Sequence, residues 1–178
     1  MVIWLIGLSG AGKTTVGVEL VDLFRAQVGN VVFVDGDAVR EIWRDAPGHD
    51  VAGRRQNAER ISHLCRYLDR EGLHVVACVL SIFPEWQAWN RENFSEYFEV
   101  FLDVPMDVLQ QRDPKGLYAR ARKGELKNVV GIDIPFPAPP HPDLVVRVTD
   151  GTDTPRSVAN DVFARATARF PLHREGGK

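Results

Sequence analysis

Sulfur chemistry is scarce in this chain: its 178 residues hold two cysteines, Cys65 in a helical pattern and Cys78 in an apolar strand pattern. Neither belongs to a C-x-x-C pair, which argues against a disulfide scaffold or a thiolate metal centre and leaves both as small buried thiols. His63, His74, His141 and His173 show no metal-ligand spacing. An excess of one charge is lacking as well. With 22 basic and 24 acidic residues the formal charge is −2, so no general electrostatic pull draws the chain to a nucleic acid polymer or an anionic membrane. No apolar run approaches the roughly 18 residues that a bilayer crossing needs. A basic segment followed by an apolar stretch and a cleavage site is also missing at the start, so the cytoplasm is the expected location. There is no internal repeat. At 44% hydrophobic and 26% charged the composition fits one globular domain spanning residues 1–178.

What is present is concentrated near the start. Gly7-Leu8-Ser9-Gly10-Ala11-Gly12-Lys13-Thr14-Thr15 has the form G-x-x-x-x-G-K-[ST] and follows the apolar run Val2 to Ile6. Glycines let such a loop curl so that its N–H groups face phosphate oxygens, and a helix starting at Thr14 would aim its positive end at the same place. Gly7, Ser9, Gly10, Ala11, Gly12, Lys13, Thr14 and Thr15 are therefore expected to cradle a triphosphate, ATP. Lys13 would reach the β- and γ-phosphates and the Thr14 hydroxyl would coordinate Mg²⁺.

Short β-branched runs at Val2 to Ile6, Val31 to Val34, Leu73 to Leu80, Val100 to Asp103 and Asp143 to Val148 read as strands buried on both faces. Helical spacing fills Thr14 to Gln27, Val51 to Arg70, Pro84 to Tyr97, Pro105 to Arg112 and Thr154 to Arg169. The alternation predicts an α/β fold, a doubly wound parallel sheet of the P-loop type with helices on both faces. Ligands in such sheets bind beyond the carboxyl ends of the strands. Trp4 reads as core, and the Trp86 and Trp89 pair as packing in the core or at an interface in preference to lining a pocket.

After the second run come Asp35, Gly36 and Asp37. Acids in that place hold a metal ion or take a proton from an attacking hydroxyl, although Asp37 is equally suited to cap the next helix. Arg40, one turn further on, would face the same cleft as an oxyanion partner. Residues 112–127 carry six basic residues and two acidic ones, bounded by Pro114 and Gly124. With the segment up to residue 134 they suggest a mobile lid that brings Arg112, Lys115, Arg120 and Arg122 over the phosphates. A solvated basic helix is the plainer alternative. The proline-rich stretch 134–142 reads as a stiff connector, and the tail 170–178 as disordered.

Taken together, Gly7 to Thr15, Asp35-Gly36-Asp37, Arg54 with Asn57, Arg112 to Tyr118 and Gly131-Ile132-Asp133 resemble the adenylylsulfate (APS) kinases, over residues 2 to about 148. The resemblance implies transfer of the γ-phosphoryl of MgATP to the ribose 3′-hydroxyl of a nucleotide, by a homodimer. It implies Asp37 as base, Lys13 as a catalytic cation, Asp35 as a supporting acid near the metal, and Arg40, Arg54 and Asn57 as grips on the acceptor.

Departures from the family pattern fall in the acceptor pocket. Where the family has a phenylalanine for one face of the adenine, this chain has His49; where it has the second, in a Lys-x-Phe-Thr-Gly segment, this chain has Val129 after Lys127. The family's Ser-Pro-[Phe/Tyr]-Arg becomes Ser81-Ile82-Phe83-Pro84. Stacking on an aromatic face contributes roughly 1–3 kcal/mol per base, so a rebuilt pocket is expected. The pattern around Ser81 to Pro84 and Ile134 to Pro137 looks like the cytidine diphosphoramidate kinases, which serve phosphoramidate-modified capsular polysaccharide. The expected acceptor is thus a pyrimidine nucleotide with an anionic 5′ extension, with adenylyl sulfate as the alternative. A nucleotide-binding module without turnover is the alternative of another class.

Overall fold

The computed structural model describes residues 1–43, 47–147 and 154–172. Five parallel strands form one sheet in the order β2-β3-β1-β4-β5: β1 (Val2–Ile6), β2 (Val31–Asp35), β3 (His74–Val79), β4 (Tyr97–Asp103) and β5 (Leu144–Arg147). β1 is central, and all five of its residues are buried, which is why it reads as an unbroken apolar run. Alternate β1 side chains feed two cores. Ile3 and Leu5 pack with α1 (Lys13–Arg25) and α7 (Pro155–Arg169), whereas Val2, Trp4 and Ile6 pack with Ile61 and Cys65 of α3 (Val51–Arg70). Helices therefore cover both faces, as the alternating pattern predicts.

Boundaries moved where long-range contacts intervene. The expected helix from Pro84 to Tyr97 ends earlier, as α4 (Pro84–Asn93), and β4 starts at Tyr97 instead of Val100. Asp69 at the end of α3 accepts hydrogen bonds from both the backbone N–H and the hydroxyl of Ser95, at 2.8 and 2.7 Å. That tie turns the chain out of the helix and into the strand. The helix that Asp37 is suited to cap, for which the sequence reading has no span, is α2 (Gly36–Ile42), and it follows β2 directly. The segment after β4 holds α5 (Met106–Arg112) and α6 (Leu117–Arg122). Val148, His173 and most of the expected tail lie outside the described residues. Both cysteines are buried and unpaired, as expected, and among the described residues no helix is long and apolar enough to cross a membrane.

Candidate functional site

The loop after β1 sits at the topological switch point, where neighbouring strands lead their connections to opposite sides. Gly7 has no room for a side chain, since a Cβ there would lie 3.1 Å from the Leu102 carbonyl. Gly12, the residue before α1, has a φ of 89°, a left-handed conformation that glycine adopts without steric cost. Lys13 turns its Nζ back to donate to the carbonyls of Gly7 and Leu8, at 2.8 and 2.9 Å. Burial lowers its pKa, against the attraction of Asp37 and Asp35.

Two acids stand opposite. Asp35 Oδ1 accepts from the backbone N–H groups of Asp37 and Ala38, while Oδ2 accepts from the Thr14 hydroxyl at 2.8 Å. It is Asp35, therefore, and not Asp37, that caps the following helix. The capping bonds fix its free oxygen against Thr14, an arrangement that suits a hard cation held by one hydroxyl, one carboxylate and phosphate oxygens. Clusters of three or more His, Cys, Asp and Glu side chains are absent among the described residues, and a magnesium ion carried on phosphates needs none. Asp37 is released from capping and takes the Lys115 ammonium at 3.0 Å. Burial pulls the Asp37 pKa up, but the hydrogen bond and charge of Lys115, with Lys13 and Arg40, outweigh it and hold the carboxyl below its ordinary range.

The segment 113–119 is fastened to the loop from below. Asp113 accepts from the N–H groups of Tyr118 and Ala119, and the buried Tyr118 hydroxyl donates to the Ser9 carbonyl at 2.8 Å. Burial, with the nearby Asp113 charge, pushes the Tyr118 phenol up to about 12, so it remains a donor at any working pH.

From the loop a cleft of about 750 Å³ extends between α3, the residues after β3 and Val130, which sits at the start of a turn closed by a bridge to Ile134. Arg40 donates to the carbonyls of Pro47 and Gly48, and Arg54 to those of His49 and Asn128. Both cations thus fasten loops while facing the cleft. Burial and the Arg40 and Arg54 charges depress the His49 pKa, which keeps its ring neutral near pH 7. Asn57 is 7% exposed, and its amide oxygen has no hydrogen-bond partner among the described residues. An unpaired acceptor on a cleft wall favours a ligand donor there.

The structure brings Ser9, Gly10, Gly12, Lys13, Thr14, Thr15, Asp35, Asp37, Arg40, His49, Arg54, Asn57, Ser81, Ile82, Phe83 and Lys115 onto one wall system. Gly7 and Ala11 support the loop from beneath it. Five expected residues lie elsewhere. Val129 is 2% exposed and belongs to the core, and the cleft takes Val130 instead. Asn128, with a φ of 63°, and the Asp133 carboxylate, which accepts from the N–H groups of Asn128 and Val129, set that register. Lys127, Arg112, Arg120 and Arg122 are exposed and off the cleft wall; for Arg120 and Arg122 the reason is that α6 turns its buried side, Tyr118, toward the loop. Trp4 and Ala58 were not anticipated on the wall, and Trp86 was there only as the less favoured alternative. Trp86 packs on the core as well, and Trp89 meets His63 edge-on; the either-or reading of this pair was too sharp. A hydrophobic strand residue such as Trp4 carries no signal in sequence that its indole edge meets a cleft.

A model of the family described as adenylylsulphate kinase matches residues 1–147. The cytidine diphosphoramidate kinase of Campylobacter jejuni subsp. jejuni serotype O:2 is 38% identical over 148 residues, which cover 82% of this chain and 84% of that protein. The adenylyl-sulfate kinase of Gloeothece citriformis is 39% identical over 156 residues, covering 88% of each. The structure of the Mycobacterium tuberculosis APS kinase in complex with AMPPNP and APS aligns with a TM-score of 0.83 at 32% identity, over 92% of this chain and 95% of that one.

Proposed function

The chain belongs to the adenylylsulphate kinase family and is an ATP-dependent kinase that phosphorylates a hydroxyl, and from that premise we propose that its acceptor is a cytidine nucleotide with an anionic 5′ extension, of the cytidine diphosphoramidate type. The observation that carries this reading is the identity of two cleft residues, His49 and Val130, an imidazole and an isopropyl group where the resemblance implies stacking phenylalanines; Phe83 and Trp86 line the cleft as well. A purine sandwiched between two aromatic faces gains roughly 1–3 kcal/mol from each; here one face is a neutral imidazole and the other an isopropyl group. Similarity does not separate the two acceptors, since a relative named for each lies at 38 and 39% identity.

In the proposed reaction the ribose 3′-oxygen bonds to the γ-phosphorus of ATP as the bond to the β-phosphate oxygen breaks, and ADP leaves. Asp37, at the mouth of the cleft between Lys115 and Arg40, takes the hydroxyl proton. Lys13 and the loop N–H groups stabilise the charge that moves onto the transferred group and the leaving oxygen, and they are positioned before reaction, so little reorganisation is needed. Thr14 and Asp35 would hold Mg²⁺, which neutralises phosphate charge when bound. Arg40, Arg54 and Asn57 orient the acceptor. A homodimer working in the cytoplasm belongs to the same proposal, and light scattering at several concentrations tests the dimer.

Turnover with adenylyl sulfate and cytidine diphosphoramidate, each at matched concentration with ATP, tests the acceptor. Higher kcat/KM for the cytidine compound is the expected result. A preference for adenylyl sulfate would place the enzyme with the second reading and make His49 an adequate stacking face.

A further inference from the structure

Ser81 follows β3 with a φ of 52°, a left-handed conformation that is unfavourable for a residue with a side chain and persists only where its surroundings hold it. Two side chains from different elements do so. Trp4 of β1 donates from Nε1 to Ser81 Oγ at 3.2 Å, and Gln87 of α4 donates from Nε2 to the Ser81 carbonyl at 2.8 Å and to Oγ at 3.3 Å. Gln87 is 4% exposed and is absent from the cleft wall, whereas Ser81, Ile82 and Phe83 form part of it. The chain on either side of Ser81 has little freedom: Val79 is locked in the sheet opposite Ile6, and Pro84 keeps Phe83 extended, at φ −114° and ψ 102°. The direction in which residues 82 and 83 approach the cleft is therefore set at Ser81.

We infer that Gln87, assisted by Trp4, is a positioning residue for the acceptor substrate, holding the Ser81 turn so that residues 81–83 present a fixed wall. The inference rests on the reading above that the acceptor occupies this half of the cleft. Glutamine suits the task because its amide carries two N–H donors for two oxygen acceptors. A carboxylate of the same shape would set oxygen against the Ser81 carbonyl. The clamp acts through Ser81 and touches neither ATP nor the reacting atoms.

Steady-state kinetics of Gln87→Glu and Gln87→Leu, with cytidine diphosphoramidate and adenylyl sulfate as acceptors, test it. We expect the acceptor KM to rise about tenfold or more, with the ATP KM within twofold, a split that general loss of packing would not produce. Adding Ser81→Gly to Gln87→Leu, which makes the turn free of strain, should recover at least half of that rise on a logarithmic scale. Trp4→Phe keeps a ring but loses the donor and should raise the acceptor KM about threefold, which keeps the test open if a Gln87 variant folds poorly. Unchanged KM values for both substrates, in variants of wild-type melting temperature, would overturn the clamp. A shifted ATP KM with an unchanged acceptor KM would instead overturn the placement of the acceptor against residues 81–83.

Discussion

The two halves of the cleft are built from different materials. On the phosphate side most contacts run through the main chain, since loop carbonyls hold Lys13, backbone N–H groups hold Asp35 and a loop carbonyl holds Tyr118, with Thr14–Asp35 and Lys115–Asp37 as the side-chain pairs. On the acceptor side the wall is made of side chains from α2, α3, β3 and the 127–134 segment, and an amide oxygen there waits without a partner. A contact made through the main chain survives many side-chain substitutions, those at left-handed glycines such as Gly12 excepted, so the first half can hold its geometry while side chains elsewhere vary. The second half can exchange a ring for a valine or histidine without disturbing the sheet beneath it. Relatives named for different nucleotides stand at similar identity to this chain, which such a division would allow.

The strongest way to break the comparison is to remove charge from the phosphate half. Lys13→Ala should cut kcat by about 10³-fold or more, since a preorganised cation at the transferring phosphate is lost, whichever acceptor is used. Quench-flow or coupled ADP release measures it, and near-wild-type turnover would refute the assignment of the whole loop. Asp37→Asn comes next, at about 10² to 10³-fold in kcat, within the usual range for a general base. ATP affinity, measured by titration calorimetry, should change little. If affinity falls as far as turnover, Asp37 acts on the metal or on the Lys115 contact instead of on the hydroxyl.

How legible these halves are in sequence follows from the same difference in materials. A loop that needs glycine at fixed positions announces itself by spacing, and the residues from Gly7 to Thr15 lie where that spacing implies. β1, β3 and β4 were legible because burial on both faces leaves continuous apolar runs; the edge strand β5 was expected to be buried likewise, yet it alternates half-buried with exposed residues, because nothing pairs with its outer side among the described residues. The acceptor side depends on register set at a distance. Val129 and Val130 are adjacent and chemically alike, and only the left-handed Asn128 and the bonds from Asp133 decide which of them meets the cleft. Local sequence likewise could not show that Asp69 ends α4 from 26 residues away, or that Asp35 would take the capping role and free Asp37. The basic residues of the lid were visible, yet their helix face was fixed by Tyr118, whose partner Ser9 lies 109 positions earlier.

The acceptor half can be sharpened by rebuilding it. His49→Phe with Val130→Phe should raise kcat/KM for adenylyl sulfate about 5- to 50-fold, given roughly 1–3 kcal/mol per stacked base, part of which is lost to imperfect fit. The cytidine compound should gain less. Val130 is the position to change, because it lines the cleft and Val129 does not; both valines are buried core residues, so either phenylalanine carries an overpacking cost. A gain with the Val129 variant and none with Val130 would show that the base lies on the other side of this segment.

The smallest effect bears on which half the lid belongs to. Tyr118→Phe removes one hydroxyl and leaves the ring packed, so the loss is that of a buried neutral hydrogen bond, about 1 kcal/mol. For a chain of this length that corresponds to a fall in melting temperature of about 2–4 °C. If the lid is part of the phosphate half, the freed Ser9 carbonyl and the loosened α6 should let Lys115 stray from Asp37 and raise the ATP KM a few-fold, while the acceptor KM stays put. Were the acceptor KM to move and the ATP KM not, the Lys115–Asp37 pair would belong functionally to the acceptor wall. The lid would then be a third element shared between two halves, and the clean division between backbone and side-chain construction would end at Ser9.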